Sequence, residues 1–149
     1  SHAFAPGRKL ILGGVDIPHH QGLDGHSDAD VLAHAISDAL LGAVRGGDIG
    51  KLFPDTDPAY KDADSLKLLA EVARFVRERG FEIIDVDSVI AAQAPKLSPY
   101  REAMRENLAA AMGVPVENVG VKATTTEHLG HEGREEGITA YATCLVCRI

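Results

Sequence analysis

Side chains able to do chemistry cluster in one stretch of the chain: His26-Ser27-Asp28, followed by Asp30, His34 and Asp38. Val31, Leu32, Ala35, Ile36, Ala39 and Leu40 recur there at helical spacing, which predicts an amphipathic helix over residues 26–42. Ser27 and Asp28 are its candidate N-caps, and Asp30 follows Ser27 at capping-box distance. Residues four apart lie above one another on a helix, so Asp30, His34 and Asp38 form one polar stripe beside the apolar one. Such a helix offers two things at one end. Its first amides can hold an anion, and a histidine one turn further in can hold a metal ion. An anion beside a metal suggests phosphate chemistry.

Other stretches carry reactive side chains. Residues 48–58 read as a loop dense in Asp, Pro, Gly and Thr, yet Ile49, Leu52 and Phe53 must pack down. A packed loop with several carboxylates and a hydroxyl is a candidate site. Thr124-Thr125-Thr126-Glu127 closes a β-rich run, and residues 128–137 form a glycine-rich loop holding Arg134. Cys144 and Cys147 form a lone Cys-x-x-Cys on an alternating strand. Odd spacing sends the two thiols to opposite faces, so they read as reduced structural cysteines rather than a zinc or redox pair. His19-His20 falls in a turn and reads as solvated.

The elements that must position these groups follow from periodicity and punctuation. Residues 10–12 and 15–17 read as short strands about Gly13-Gly14. The central helix is expected to stop at a Gly46-Gly47 C-cap. Asp64-Ser65 starts a second helix that runs to Arg79, with Leu66, Leu69, Val72, Ala73 and Val76 on its apolar face and Gly80 as the stop. Residues 81–92 are β-rich, with Ile84, Val86 and Ile90 on one parity. Ser98-Pro99 opens a third helix, ended by Gly113, and residues 119–123 and 138–149 are strands. The order predicts one α/β domain of the α+β kind over residues 1–149, a mixed sheet covered by helices on one face.

Composition narrows the function further. A formal net charge of −7 argues against a general nucleic-acid binder. An anionic substrate must then be held by local positive charge, metal ions or backbone amides. No apolar run approaches membrane-spanning length and no signal-peptide pattern opens the chain. Free thiols fit a reducing compartment, the cytoplasm or a plastid stroma. The sequence starts at Ser1 without a Met, so upstream residues are expected to be missing.

Taken in order, these pieces resemble the 2-C-methyl-D-erythritol 2,4-cyclodiphosphate synthase family. The resemblance rests on His26-Ser27-Asp28 with His34, Gly47-Asp48-Ile49-Gly50, Phe53-Pro54-Asp55-Thr56-Asp57, Ala92-Gln93-Ala94-Pro95-Lys96, Lys122-Ala123-Thr124-Thr125-Thr126-Glu127, Gly130 and Gly133-Arg134 with Glu136-Gly137-Ile138. It is collinear over nearly the whole chain. It implies conversion of 4-diphosphocytidyl-2-C-methyl-D-erythritol 2-phosphate into the cyclodiphosphate with release of CMP, in non-mevalonate isoprenoid biosynthesis. It also implies a homotrimer with sites between subunits, a zinc ion, and a second divalent ion, magnesium or manganese.

Residue by residue, the resemblance implies His2 and His34 as zinc ligands, His2 taking the histidine of the family's opening Asp-x-His-x-Phe motif. The motif Asp and the first strand are expected to lie before Ser1. Asp30 or Asp38 is expected to orient the His34 ring. His26 and Thr125 take catalytic roles, stabilising charge during phosphoryl transfer, and Glu127 holds the second metal. Ser27 meets phosphate with His26. Asp48, Ile49 and Gly50, with Phe53, Pro54, Asp55, Thr56 and Asp57, contact the methylerythritol part. Ala92, Gln93, Ala94, Pro95, Lys96 and Leu97 hold the cytidine. Thr124, Thr125 and Thr126 line the diphosphate with Glu127, Arg134 meets phosphate, and His131 falls at a substrate-contact position. Two other readings compete: a zinc-dependent hydrolase of nucleoside diphosphates, and a non-catalytic metal-binding module.

Overall fold

Two long β-rich runs form the frame on which the site is hung. A computed structural model describes residues 1–149. In chain order it contains β1 (His2–Ala5), β2 (Leu10–Leu12), β3 (Val15–Ile17), β4 (Gly22–Leu23), α1 (Val31–Ala43), α2 (Ile49–Leu52), α3 (Ser65–Glu78), β5 (Phe81–Ala91), α4 (Arg101–Met112), β6 (Val119–Thr124), α5 (Gly130–Gly133) and β7 (Gly137–Arg148). The main sheet runs β4-β1-β7-β5-β6, and β2 pairs with β3 in a separate hairpin. Only β5 and β6 are parallel, and α4 supplies the crossover that a parallel pair requires. The sheet is therefore mixed, as expected. Strand β1 sits between β4 and β7.

The helices lie on one face. Along β7, Ala140, Ala142, Cys144 and Val146 pack against the core, while Tyr141, Thr143, Leu145 and Cys147 point the other way and stay exposed. Small inward side chains let α1 lie close across β7. Helix α1 buries Val31, Leu32, Ile36, Leu40 and Leu41, and α3 buries Leu69, Val72, Ala73 and Val76. The two cysteines are free and fall on opposite faces. No helix is long and apolar enough to cross a membrane.

Several local features differ from what the sequence predicts. Ile84 does not share a face with Val86 and Ile90. A register shift between Ile83 and Asp85 inserts Ile84 as an extra residue against β7, so Ile83 is buried and Ile84 is 40% exposed. The α1 C-terminus is not a glycine cap: Val44 is the C-cap, and Arg45 takes the left-handed conformation at φ 60. Gly46 is required for packing, since a Cβ there would lie 2.6 Å from Phe75 Cε1. Residues 48–58 are not all loop. Asp48 caps the short helix α2 through Lys51 N, and Asp57 caps a 3-10 turn through Ala59 N. Residues 128–137 likewise contain α5.

The central helix also starts later than its sequence suggests. It begins at Val31 with Asp30, not Ser27 or Asp28, as N-cap. Asp30 Oδ1 accepts from Ala33 N and Gly13 N, both at 3.0 Å, and Oδ2 accepts from Gly14 N at 2.8 Å. Gly13 and Gly14 have φ +55 and +73, the conformation of a two-residue hairpin turn with both φ positive. The anion at this helix end is thus the protein's own carboxylate.

Asp30 is fully buried, and burial pushes its carboxyl up to about 6 against the pull of the three amides. Asn offers one acceptor oxygen and would aim an N–H2 at a backbone N–H. Asp30→Asn is expected to cost about 2–4 kcal/mol at pH 5, read by urea unfolding. A folded value raised above the unfolded one, about 3.9, means that the carboxyl's contribution is complete below pH ~4 and declines as the pH rises through 6. The cost should therefore shrink between pH 4 and 6.5. A change under ~0.5 kcal/mol throughout rejects the linkage.

Candidate functional site

Because Asp30 does the capping, His26-Ser27-Asp28 forms a fixed ledge in front of the helix. Asp62 N donates to His26 O at 2.8 Å, Asp28 N donates to Ala63 O at 3.0 Å, and Arg8 Nη2 donates to Ser27 O at 2.7 Å. Ala29 completes the turn at φ 58, a left-handed conformation that costs a non-glycine residue about 1–2 kcal/mol.

His2 from β1 meets His34 from α1 behind this ledge. His2 Nε2 and His34 Nδ1 are 3.2 Å apart, with the rings inclined at 72°. Two nitrogens bound to one tetrahedral zinc at about 2.0–2.1 Å would sit about 3.3 Å apart. The pair therefore fits shared ligation of one ion. Burial lowers both imidazoles, His34 to about 4 with the neighbouring His2 charge adding to the effect and Asp28 opposing it. Neutral rings are what a metal ion needs. No group of three or more His, Cys, Asp or Glu side chains converges at such a geometry.

The groups expected to orient His34 are others than the sequence suggested. Asp30 is committed to the cap, and Asp38 accepts from Ile49 N at 2.9 Å. His34 Nε2 instead contacts Ser65 Oγ at 2.8 Å and Ser27 Oγ at 3.2 Å. Ser65 Oγ donates to Asp28 Oδ1 at 2.5 Å.

A cleft of about 370 Å³ opens beside these groups. It gathers His2, His26, Ser27, His34, Ile49, Gly50, Phe53 and Asp55. Gly25, Tyr60 and Leu68 also line it, and sequence reasoning missed them. Tyr60 stacks edge-on against Phe53 at 5.3 Å, a contact across a turn that no periodicity signals. His26 Nε2 lies 3.1 Å from Asp57 O, which ties the ring to the 48–60 segment. Pro54, Thr56, Asp48 and Asp57 do not line the cleft, and the last two carboxylates serve as caps.

The remaining expected residues lie elsewhere on the chain. Ala92, Gln93, Pro95, Lys96, Leu97, Thr124 and Thr125 line a second cleft of about 280 Å³. Ala92 N donates to Thr124 O, and the Ala94–Pro95 peptide is cis. Glu127 and His128 follow in consecutive left-handed conformations, φ 55 and 64. Thr125 Oγ1 accepts from Glu127 N, Thr126 Oγ1 donates to Leu129 O, and His128 N donates to Gln93 Oε1, which ties this turn to Gln93 in the 92–97 segment. Glu127 is exposed and lines neither cleft. His131 and Arg134 face His2 across a third opening of about 440 Å³. A larger groove of about 480 Å³ holds none of the expected site residues, and Lys122 at its wall is paired to Asp87.

The YgbB family model matches residues 1–147. The 2-C-methyl-D-erythritol 2,4-cyclodiphosphate synthase of Chlorobium phaeobacteroides (strain BS1) is 59% identical over 145 residues, 97% of this chain and 91% of that protein. The structure of the bifunctional IspDF from Campylobacter jejuni superposes with a TM-score of 0.95 at 45% identity. The match covers 99% of this chain but 40% of that one. A CDP-bound structure of 2C-methyl-D-erythritol-2,4-cyclodiphosphate synthase superposes with a TM-score of 0.89 at 38% identity, covering 98% and 95% of the two chains.

The converging imidazoles give a direct test. Cobalt(II) added to the protein is expected to develop ligand-field absorbance, and His34→Ala should weaken its binding at least 10-fold while leaving the circular dichroism spectrum unchanged. Equal cobalt affinity in the variant would remove His34 from the metal centre.

Proposed function

The chain belongs to the YgbB family, and on that premise we propose that it converts 4-diphosphocytidyl-2-C-methyl-D-erythritol 2-phosphate into 2-C-methyl-D-erythritol 2,4-cyclodiphosphate with release of CMP. The observation that carries this reading is the His2–His34 pair, 3.2 Å apart, at the wall of a cleft that also holds His26 and Ser27. In the reaction an oxygen of the 2-phosphate attacks the β-phosphorus of the diphosphate. The bond from that phosphorus to the bridging oxygen breaks, and CMP departs with the electron pair. No water enters and no protein nucleophile is needed, so positioning and charge stabilisation are the work to be done.

Zinc held by His2 and His34, with a magnesium or manganese ion at Glu127, supplies Lewis acidity and neutralises phosphate charge when bound. His26 holds a phosphate oxygen as charge shifts, its ring oriented by the Asp57 carbonyl. Ser27 flanks it. Thr125 acts on the diphosphate, with Thr124, Thr126 and Arg134 around it. Ile49, Gly50, Phe53 and Asp55 enclose the methylerythritol part, and Asp48, Pro54, Thr56 and Asp57 shape that wall. Residues 92–97 hold the cytidine, with small side chains and exposed backbone groups suited to a base edge, and His131 lies at the rim. The two free thiols support a reducing compartment, cytoplasm or plastid stroma.

The reading includes a homotrimer in which one protomer's His26 cleft is completed by its neighbour's 92–97 cleft. Two features support it: these clefts are separate on one chain, and the sheet face away from the helices exposes Tyr141 at 62% and Leu145 at 59%. Sedimentation is expected to give the mass of three chains, and mixing inactive His34→Ala with inactive Lys96→Ala should restore part of the activity as subunits exchange. A monomer at assay concentration refutes this arrangement.

Turnover in oxygen-18 water separates the cyclase from a hydrolase. Both CMP and the cyclic product should be unlabelled, and Thr125→Ala should lower kcat roughly 100-fold with little change in KM. Stoichiometric label in either product favours the hydrolase instead.

A further inference from the structure

We infer that Ser65, backed by the Asp28 carboxylate, is a positioning residue that fixes the tautomer of His34, so that Nδ1 and not Nε2 presents the free lone pair toward His2. The inference rests on the proposed metal role of the His2–His34 pair and adds to it the groups that prepare the pair.

Proton counting carries the argument. Asp28 Oδ1 lies 2.5 Å from Ser65 Oγ and also accepts from Asp30 N at 3.1 Å, and Oδ2 accepts from Ser65 N at 3.1 Å. A carboxylate only accepts, so the single Ser65 hydroxyl proton goes to Asp28. Ser65 Oγ then has only lone pairs to offer His34 Nε2, 2.8 Å away. Nε2 must therefore carry the ring hydrogen. In a neutral imidazole this leaves Nδ1 as the bare nitrogen, the one 3.2 Å from His2 Nε2. Ser27 Oγ, 3.2 Å from the same Nε2, is a second and longer acceptor, and itself accepts from Ala29 N.

The Ser65 hydroxyl is not needed to cap its own helix. Ser65 is the first residue of α3 and 1% exposed, but the α3 cap is Asp64, which accepts from Leu66 N at 2.9 Å. The hydroxyl is spent wholly between Asp28 and His34. Because Asp28 N is anchored to Ala63 O and Asp28 Oδ2 to Ser65 N, the start of α3 and the ledge before α1 hold the ring jointly.

The test reads the tautomer in metal-free protein by long-range nitrogen–proton NMR of labelled histidines, and then zinc affinity by competition with a chromophoric chelator. Wild type is expected to show His34 as the Nε2–H form alone. Ser65→Ala should populate the other tautomer and weaken zinc roughly 10–100-fold, and Ser65→Thr, which keeps the hydroxyl, should restore both. If Ser65→Ala does not fold, Ser65→Cys, which retains volume but accepts weakly, is read in the same way. An unchanged tautomer or unchanged zinc affinity in the folded variant overturns the inference. A wild type that shows the Nε2–H form yet takes up no zinc instead defeats the metal reading, which the metal-free measurement keeps distinct.

Discussion

The buried Asp30 carboxylate is the constraint from which the rest of the site follows. It joins the turn between β2 and β3 to the first turn of α1, satisfying three backbone donors that would otherwise be buried without partners. That junction sets where α1 starts and how it is rotated. With Asp30 as the cap, His34 comes about one turn later on the same side, facing β1 and His2. Capping by Ser27 or Asp28 would have begun the helix earlier and absorbed the side chains that now face the cleft and the His34 ring.

Three of the six non-glycine residues in left-handed conformations lie in the ledge and in the turn after β6. They are Ala29 in the ledge, and Glu127 and His128 in the turn. Each is held by side-chain to backbone hydrogen bonds: Ser27 and Asp28 grip the backbone around Ala29, and Thr125, Thr126 and Gln93 grip the turn at 127–129. These hydrogen bonds fix the backbone of both turns within the chain itself, and the proposed reaction depends on holding two phosphates in line.

The distribution of the site over separate clefts connects chemistry to assembly. His2, His34 and the ledge residues His26 and Ser27 line one cleft, while Ala92, Gln93, Pro95, Lys96, Leu97 and Thr125 line another. The uncovered sheet face, with Tyr141 and Leu145 on alternate positions of β7, offers apolar area on the side free of helices. Burying that face and joining the two kinds of cleft would be met together by one association of identical chains, which is why the proposed trimer and the proposed reaction stand as one reading.

Much of this was legible in the sequence, for identifiable reasons. The apolar faces of α1 and α3, the hairpin about Gly13-Gly14, and the stop at Gly113 follow from periodicity and backbone chemistry within a few residues. The collinear motifs singled out His26 and His34, which share one cleft, and Thr125, which lines another, whereas Glu127 lines neither. What tertiary structure alone decided depends on contacts between segments far apart in the chain. The bulge at Ile84 is set by register against β7. The α1 cap is chosen by amides of a hairpin 16–17 residues away. The His34 ring is held by Ser65 and not by its helix neighbours Asp30 and Asp38, because packing α3 against α1 brings a hydroxyl 31 residues distant to within hydrogen-bonding reach. Spacing along one helix records which side chains share a face; it carries no information on which partner crosses the gap to meet them.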